Sequence, residues 1–299
     1  MVNLALLGAG RWGQNYLKEA EKIHDLRIKY VIASTNKRLQ NLSNQYIKLT
    51  NYKQILNDKT LDGVIVATPA STHFKLAKEF INKGFNVLLE KPYAMGEKEA
   101  NELLDLSLKK KSIVLVGHLQ LYNPAFLKII EIIEDIGNIL IIDFQAHSSP
   151  KRDDCPVIWD WGPHFVSMCL EITKDLPERI SSKISKEKAY IQFNYSNGAV
   201  AIADLDRSDK KRRRIMTILG ENGLIMFNED AAKKIFHLQF FPSLKLNYPN
   251  YSKKTPLFLE LQEFVKSIRK KGEPRTNLQN GKVLTELLDR VEALNPDAL

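Results

Sequence analysis

Asp160 and His164, four residues apart, and Lys91, in Glu90-Lys91-Pro92, are residue types that move or steady a proton. A histidine titrates near neutral pH and suits general acid–base work. On a helix, its spacing from Asp160 puts both side chains on one face. Lys91 offers a cation that would stabilise an oxyanion as it develops. A different chemistry is signalled near the start, by Gly8-Ala9-Gly10-Arg11-Trp12-Gly13. Gly8 permits a tight turn, Gly10 lets backbone N–H groups approach a pyrophosphate, and Gly13 lets a helix pack closely on its strand. The helix N-terminus then adds unpaired N–H groups and a partial positive charge for phosphates. Each position also has a structural use: Asp160 as an N-cap, Lys91 as a turn lysine, His164 as a packed ring.

The elements that must position these residues follow from hydrophobic periodicity. An apolar strand from Val2 to Leu7 runs into the glycine turn, and a helix follows with Tyr16, Leu17, Ala20 and Ile23 on one face. Arg27 to Ala33 reads as a second parallel strand. Its end, Ser34-Thr35-Asn36-Lys37-Arg38, has hydroxyls and cations where an acidic residue would bind a ribose 2′-OH. A 2′-phosphate suits such a site, so NADP(H) is favoured and NAD(H) stays possible. Helices are expected at 37–46 and 52–56, a buried strand at 62–69, and a helix capped by Ser71. A strand at 86–89 leads into Glu90-Lys91-Pro92, where a cis Lys91–Pro92 bond is expected. A helix at 97–110 and a strand at 113–116 complete a doubly wound parallel α/β sheet, with Gly8, Ser34, Thr68, Lys91 and His118 at strand ends.

The second half changes rhythm. Asn123-Pro124 opens an amphipathic helix, a long strand runs from 139 to 146, a loop spans 148–154, and a helix carries Phe165, Met168, Cys169 and Ile172. Hairpins are expected at Ser196-Asn197-Gly198 and Glu221-Asn222-Gly223, and helices at 256–271 and 278–294. These elements predict two domains: a Rossmann domain at 1–120 and an α+β domain with a mostly antiparallel open sheet at 121–299.

Composition bounds the function. At 299 residues, 44% hydrophobic and 26% charged, this is an ordinary globular chain. No apolar run is long enough for a membrane span, and the first strand leaves no room for a leader, so a cytoplasmic location is expected. Cys155 and Cys169 form no disulfide framework and no metal spacing, and no metal is expected. The net charge of +9 points to an anionic partner. The basic run at 210–214 lacks interleaved aromatics, so that partner is expected to be a phosphate-bearing small molecule rather than nucleic acid. The run itself reads equally as a diphosphate contact or as a protected sheet edge.

In order and spacing, the glycine turn, Glu90-Lys91-Pro92 and Asp160-Trp161-Gly162-Pro163-His164 resemble the Gfo/Idh/MocA oxidoreductase family. Ala67-Thr68-Pro69 with His73, and Gly117-His118 leading to Asn123-Pro124-Ala125-Phe126, resemble family segments as well. The resemblance implies hydride transfer between nicotinamide and a secondary alcohol or ketone of a sugar-like substrate. Residues 157–164 resemble the branch acting on nucleotide-linked sugars. Lys91, Asp160 and His164 take the catalytic roles by this resemblance. The dinucleotide is expected at Gly8, Gly10, Arg11, Trp12, Gly13, Ser34, Thr35, Arg38, Thr68, Pro69, His73, Glu90 and Lys91. The substrate is expected at His118, Gln120, Tyr122 and Asn123, beside Lys91, Asp160 and His164, in a cleft between domains. Trp159 and Trp161 are expected to pack, and Cys155 to be inert. The resemblance also implies a homo-oligomer, a dimer or tetramer through the second sheet. A catalytically idle dinucleotide-sensing regulator, or a reductase of an imine or unsaturated ring, stays open on the same fold.

Overall fold

The computed structural model describes residues 1–148 and 155–295. The chain divides into two compact units: Met1–Leu119 with Thr255–Thr285, and Gln120–Lys254 with the chain from Glu286 onward. The first unit is built on β1 (Val2–Leu7), β2 (Leu26–Ile32), β3 (Ile47–Leu49), β4 (Gly63–Val66), β5 (Asn86–Glu90) and β6 (Val114–Gly117). All pair in parallel, in the order β3-β2-β1-β4-β5-β6. This is a doubly wound sheet whose strand order reverses between β1 and β4, and the glycine turn leaves β1 at that point. Strands covered on both faces must be apolar throughout, which is why β4 (Gly-Val-Ile-Val) is buried at every residue.

Helices α1 (Arg11–Ala20), α2 (His73–Asn82) and α3 (Glu97–Lys110) connect these strands. The helix expected at 37–46 is replaced by a single 3-10 turn, Asn36–Arg38. Only Leu39 and Tyr46 are buried in that stretch, too few for an apolar helical face. The short strand β3 arises just beyond it.

The second domain, expected as one piece at 121–299, is interrupted. Thr255 caps a helix at Pro256–Lys270 by accepting from the Phe258 N–H at 3.2 Å. That helix buries Leu257, Glu260, Leu261, Phe264 and Val265 on one stripe. The stripe packs on α1 and β1, so the segment joins the first unit.

In the second unit, α4 (Pro124–Ile132) and β7 (Ile139–His147) are followed by α5 (Val157–Thr173). Seven more strands follow: β8 (Arg179–Ile184), β9 (Lys188–Asn194), β10 (Val200–Asp206), β11 (Arg213–Gly220), β12 (Gly223–Asn228), β13 (Ile235–Gln239) and β14 (Lys245–Asn247). In order, the sheet reads β14-β13-β12-β11-β7-β10-β9-β8. Every pairing is antiparallel except β10 with β7. Alternate residues bury one face: Ile142, Phe144 and Ala146 on β7, Ala201, Ala203 and Leu205 on β10. α5 covers that face, with Phe165 stacked near Phe144 and Phe193. The other face leaves Ile141 and Tyr190 exposed. α6 is the helix at Pro256–Lys270, and α7 (Leu278–Ala293) passes from the first unit into the second at Thr285/Glu286. Of the expected loop at 148–154, all but Ser148 lies outside the described residues. β8, β13 and β14 have no expected counterpart. β8 (Arg-Ile-Ser-Ser-Lys-Ile) and β14 (Lys-Leu-Asn) carry few apolar residues and β13 (Ile-Phe-His-Leu-Gln) is short, so pairing with neighbouring strands defines all three.

The closest approach in the first unit is at Gly13, where a Cβ would lie 1.8 Å from the Gly8 carbonyl oxygen. Gly13→Ala is expected to destabilise the fold by about 1–3 kcal/mol or more, since the backbone of β1 and α1 must separate. Urea denaturation against Gly272→Ala, where added volume meets open space, checks this. Equal midpoints for the two variants would contradict it.

Candidate functional site

The glycine turn has the shape its residues require. Gly8 adopts φ +104°, and a Cβ there would lie 2.3 Å from the Ala67 carbonyl oxygen. Gly10 is the N-cap of α1 and brings no side chain, and the first turn of α1 has no acidic residue. Its leading N–H groups therefore face outward with no competing charge. After β2, Ser34, Thr35 and Arg38 are exposed. The Arg38 guanidinium reaches back over the turn, with Nη1 3.4 Å from where a Gly10 Cβ would stand. A cavity of about 650 Å³ opens here, lined by Gly10, Arg11, Lys18, Lys37, Arg38 and Glu21 among others. The Glu21 carboxylate is already taken by the Gln45 amide at 3.0 Å and the Tyr46 hydroxyl at 2.9 Å. Four cations thus face a cavity whose one carboxylate is occupied. Its charge and its bare backbone fit a phosphate-rich dinucleotide.

At the end of β5, the Glu90 carboxylate is buried and fully engaged. Oε1 accepts from the Trp12 indole N–H and from the Tyr16 hydroxyl at 2.6 Å, and Oε2 accepts from the Lys91 N–H at 3.3 Å. Trp12 and Glu90, both expected to contact the dinucleotide, therefore bind each other and fasten the β5 end to α1. The Lys91–Pro92 bond is cis. His73 fastens the same turn from its other side. Its Nδ1 lies 2.8 Å from the Pro92 carbonyl oxygen and its Nε2 lies 2.7 Å from that of Thr68. Thr68 in turn shares a hydroxyl hydrogen bond of 2.7 Å with Thr72, and Pro69 is exposed beside it. His118 follows β6, is buried, and neither ring nitrogen has a hydrogen-bond partner among the described residues. Burial, and secondly the Lys91 charge, lowers its pKa to about 4. Its ring is therefore neutral at pH 7.

In the second unit, Asp160 and His164 both lie on α5 and both are buried. The N-cap of that helix is Pro156, so capping is not the use of Asp160. Arg207, itself buried, sets Nη1 4.0 Å from the Asp160 carboxylate. Its remaining donors go to the Cys155 and Lys186 carbonyls and the Glu187 carboxylate, at 3.1, 3.0 and 3.2 Å. Trp161 does more than pack. The Arg214 guanidinium lies 3.8 Å from its ring centroid, and the His164 ring is 5.3 Å away. Cys155 is buried and in no disulfide among the described residues. Gln120 and Asn123 bond each other at 3.0 Å, and Asn123 caps α4 through the Ala125 N–H at 3.1 Å. Tyr122 is buried beside them.

Of the basic run at 210–214, Arg213 and Arg214 open β11, which lies between β12 and β7 rather than at the sheet edge. Arg214 is buried and donates to the His147 carbonyl and, at 3.0 Å, to that of Ser148. Arg212 pairs with Asp230 at 2.8 Å. Tyr16, Glu260, Arg207 and Arg214 are the site-building residues that sequence reading missed. For Glu260 a signal existed: it sits on the stripe Leu257-Leu261-Phe264, where a carboxylate has no business unless something receives it. Among the described residues, no group of three or more His, Cys, Asp or Glu is placed to hold a metal ion, and no helix is long and apolar enough to cross a membrane.

A parallel sheet of this order, with a bare-glycine turn at its switch point, defines a dinucleotide-binding protein of the Rossmann type. Residues 2–118 match the Gfo/Idh/MocA oxidoreductase family model, an oxidoreductase family with an NAD-binding Rossmann fold. It is 23% identical over 224 residues to UDP-N-acetylglucosamine 3-dehydrogenase of Acidithiobacillus ferrooxidans, covering 70% of each chain. It is 35% identical over 98 residues to Oxidoreductase P35 of Formosa agariphila, 32% of this chain and only 30% of that protein. The aldose–aldose oxidoreductase of Caulobacter crescentus shares the fold, with a TM-score of 0.88 at 13% identity over 100% of this chain and 98% of that one.

A histidine held neutral by burial stabilises the fold fully above its unfolded pKa near 6.5, and that contribution is lost as pH falls toward the folded value of about 4. Over that window the loss is about 3 kcal/mol. The thermal midpoint of the wild type should therefore fall more steeply between pH 6.5 and 4 than that of His118→Gln. Parallel curves for the two proteins would remove His118 from the account.

Proposed function

We propose that this chain is an NAD(P)-dependent oxidoreductase moving a hydride between nicotinamide C4 and a secondary alcohol or ketone carbon of a sugar or sugar nucleotide, with NADP preferred. The observation that carries it is the tie from Glu90 to Trp12, in the first turn of α1. Through it Lys91 is carried on a turn fastened to the helix that opens at the phosphate-binding glycines. The names of two relatives, a UDP-N-acetylglucosamine dehydrogenase and an aldose–aldose oxidoreductase, support a sugar substrate.

A dinucleotide held at the glycine turn by Gly8, Gly10 and Gly13 would supply or accept the hydride. Gly8, Gly10 and Gly13 keep its path bare, and Arg38, with Ser34 and Thr35, receives the ribose end. His164 takes the hydroxyl proton when the alcohol is oxidised and returns it when the ketone is reduced. Asp160, one turn earlier on the same helix, orients that ring and favours its charged form. Lys91 stabilises negative charge on the reacting oxygen.

Cofactor choice is tested by fluorescence titration. NADPH should bind more tightly than NADH, and Arg38→Ala should weaken NADPH while leaving NADH nearly unchanged. Equal affinities unaffected by the substitution would exclude a 2′-phosphate site at Arg38.

With a turned-over sugar in hand, His164→Ala should lower kcat by roughly 10²–10⁴-fold, while dinucleotide affinity barely changes. Lys91→Ala should also cost turnover, and the double variant should lose far less than the product of the two. A folded His164→Ala enzyme at the wild-type rate would end this assignment.

A further inference from the structure

Within the first unit, two carboxyl groups compete for one phenolic hydrogen. The Tyr16 oxygen lies 2.6 Å from Glu90 Oε1 and 3.0 Å from Glu260 Oε1. A phenol has one hydrogen to donate, so it serves one carboxylate only. The second contact is attractive only if the other carboxyl brings a hydrogen of its own. Which one does so follows from the remaining partners. Glu90 receives two further donors, the Trp12 indole and the Lys91 N–H, and is therefore the ionised member. Glu260 is 0% exposed, and its Oε2 has no hydrogen-bond partner among the described residues. An ionised group there would be a buried charge with neither water nor cation to receive it.

We propose that Glu260 is a neutral carboxylic acid at neutral pH, donating to Tyr16, whose hydroxyl donates to Glu90, and that Glu260 is thereby a positioning residue for the turn that carries Lys91. The elements packed against α6 agree with this. α1 brings Tyr16, while its Glu19 is paired with Lys22 at 2.8 Å. β1 (Val-Asn-Leu-Ala-Leu-Leu) brings no titratable side chain, and the end of β5 brings Glu90. Burial first, and then the Glu90 charge, pushes the Glu260 carboxyl well above the usual range. The chain of donors runs in one direction and ends on the carboxylate that holds the Lys91 backbone. A neutral Glu260 also removes the like-charge repulsion that two carboxylates around one tyrosine would otherwise carry.

The value of this arrangement to catalysis rests on the role proposed above for Lys91; the protonation of Glu260 does not. The tests are accordingly made on the whole protein without dinucleotide. Infrared spectra of protein carrying ¹³C-labelled glutamate should show a protonated-carboxyl C=O band at neutral pH, and Glu260→Gln should abolish it. A wild-type spectrum with every glutamate ionised overturns the proposal.

An acid whose folded pKa is raised costs no stability below its unfolded value near 4.3, and the cost grows as pH rises above it. Glu260→Gln, neutral at every pH, should therefore gain thermal stability relative to the wild type progressively from pH 5 to 8. A difference that stays constant with pH overturns the neutral acid. For the positioning role, the Trp12 indole N–H resonance should be preserved in Glu260→Gln and displaced in Tyr16→Phe and Glu260→Leu. Equal displacement in the Gln and Leu variants overturns it, and Tyr16→Phe keeps the comparison if Glu260→Leu does not fold. Failure of the wild type to bind NADPH or NADH would instead strike the proposed function and leave these ligand-free results standing.

Discussion

The contact between α1 and β1 is the constraint on which the first unit depends. α1 can lie against the strand only because Gly13 has no side chain, with the Gly8 carbonyl filling the space a Cβ would take. That closeness points the leading N–H groups of α1 at the turn. It also sets the angle at which Trp12 and Tyr16 leave the helix. Both reach the end of β5 and take hold of Glu90. One backbone approach thus places the glycine turn and the lysine-bearing turn together, although 78 residues separate Trp12 from Glu90.

The β5 turn is then held from two sides by different chemistry. On one side is a carboxylate with three donors. On the other is His73, whose ring nitrogens lie 2.7 and 2.8 Å from the Thr68 and Pro92 carbonyl oxygens. Buried polar groups of this kind are costly unless satisfied. When satisfied they leave the backbone few alternatives. A turn that must present a flexible lysine side chain gains from that, because the rigid part ends at the lysine Cα. Behind it, α6 returns from the far end of the chain to press Glu260 on Tyr16, and Thr255–Thr285 thereby joins a domain expected from sequence to end at residue 120.

The second unit solves a different problem, that of keeping charge inside a helix–sheet layer. Asp160 is buried on α5, facing Arg207, with Arg214 bearing on it as well. Neither arginine is left bare. Arg207 is bonded to two carbonyls and a carboxylate, and Arg214 to carbonyls at the end of β7, with its guanidinium over Trp161. His147 closes the same end of the sheet between Asp204 and Asp209, at 2.9 Å from each. Removing one partner from such a group leaves an uncompensated buried charge, which costs far more than the pair contributes. The cations that face Asp160 on α5, Arg207 and Arg214, therefore come from chain more than 30 residues beyond the end of that helix.

Much of this protein is legible in its sequence because the relevant signals are local. Gly8 and Gly13 announce a turn where only glycine fits, and continuous apolar runs announce strands covered on both faces. The four-residue spacing of Asp160 and His164 needs only helical geometry. Asn197-Gly198 marks its hairpin through the φ of +86° that glycine accepts. What tertiary structure alone decided has one physical cause: a polar group's partner is set by distance in space, and sequence separation carries no record of it. Nothing in Tyr16 distinguishes an apolar helix face from a hydrogen-bond donor until Glu90 and Glu260 arrive beside it. Arg214 reads as one more cation in a basic run until β11 turns out to be an interior strand, which forces alternate side chains inward. The helix expected at 37–46 failed for the converse reason. Of its residues only Leu39 and Tyr46 are buried, too few to anchor a helical face in the packed structure.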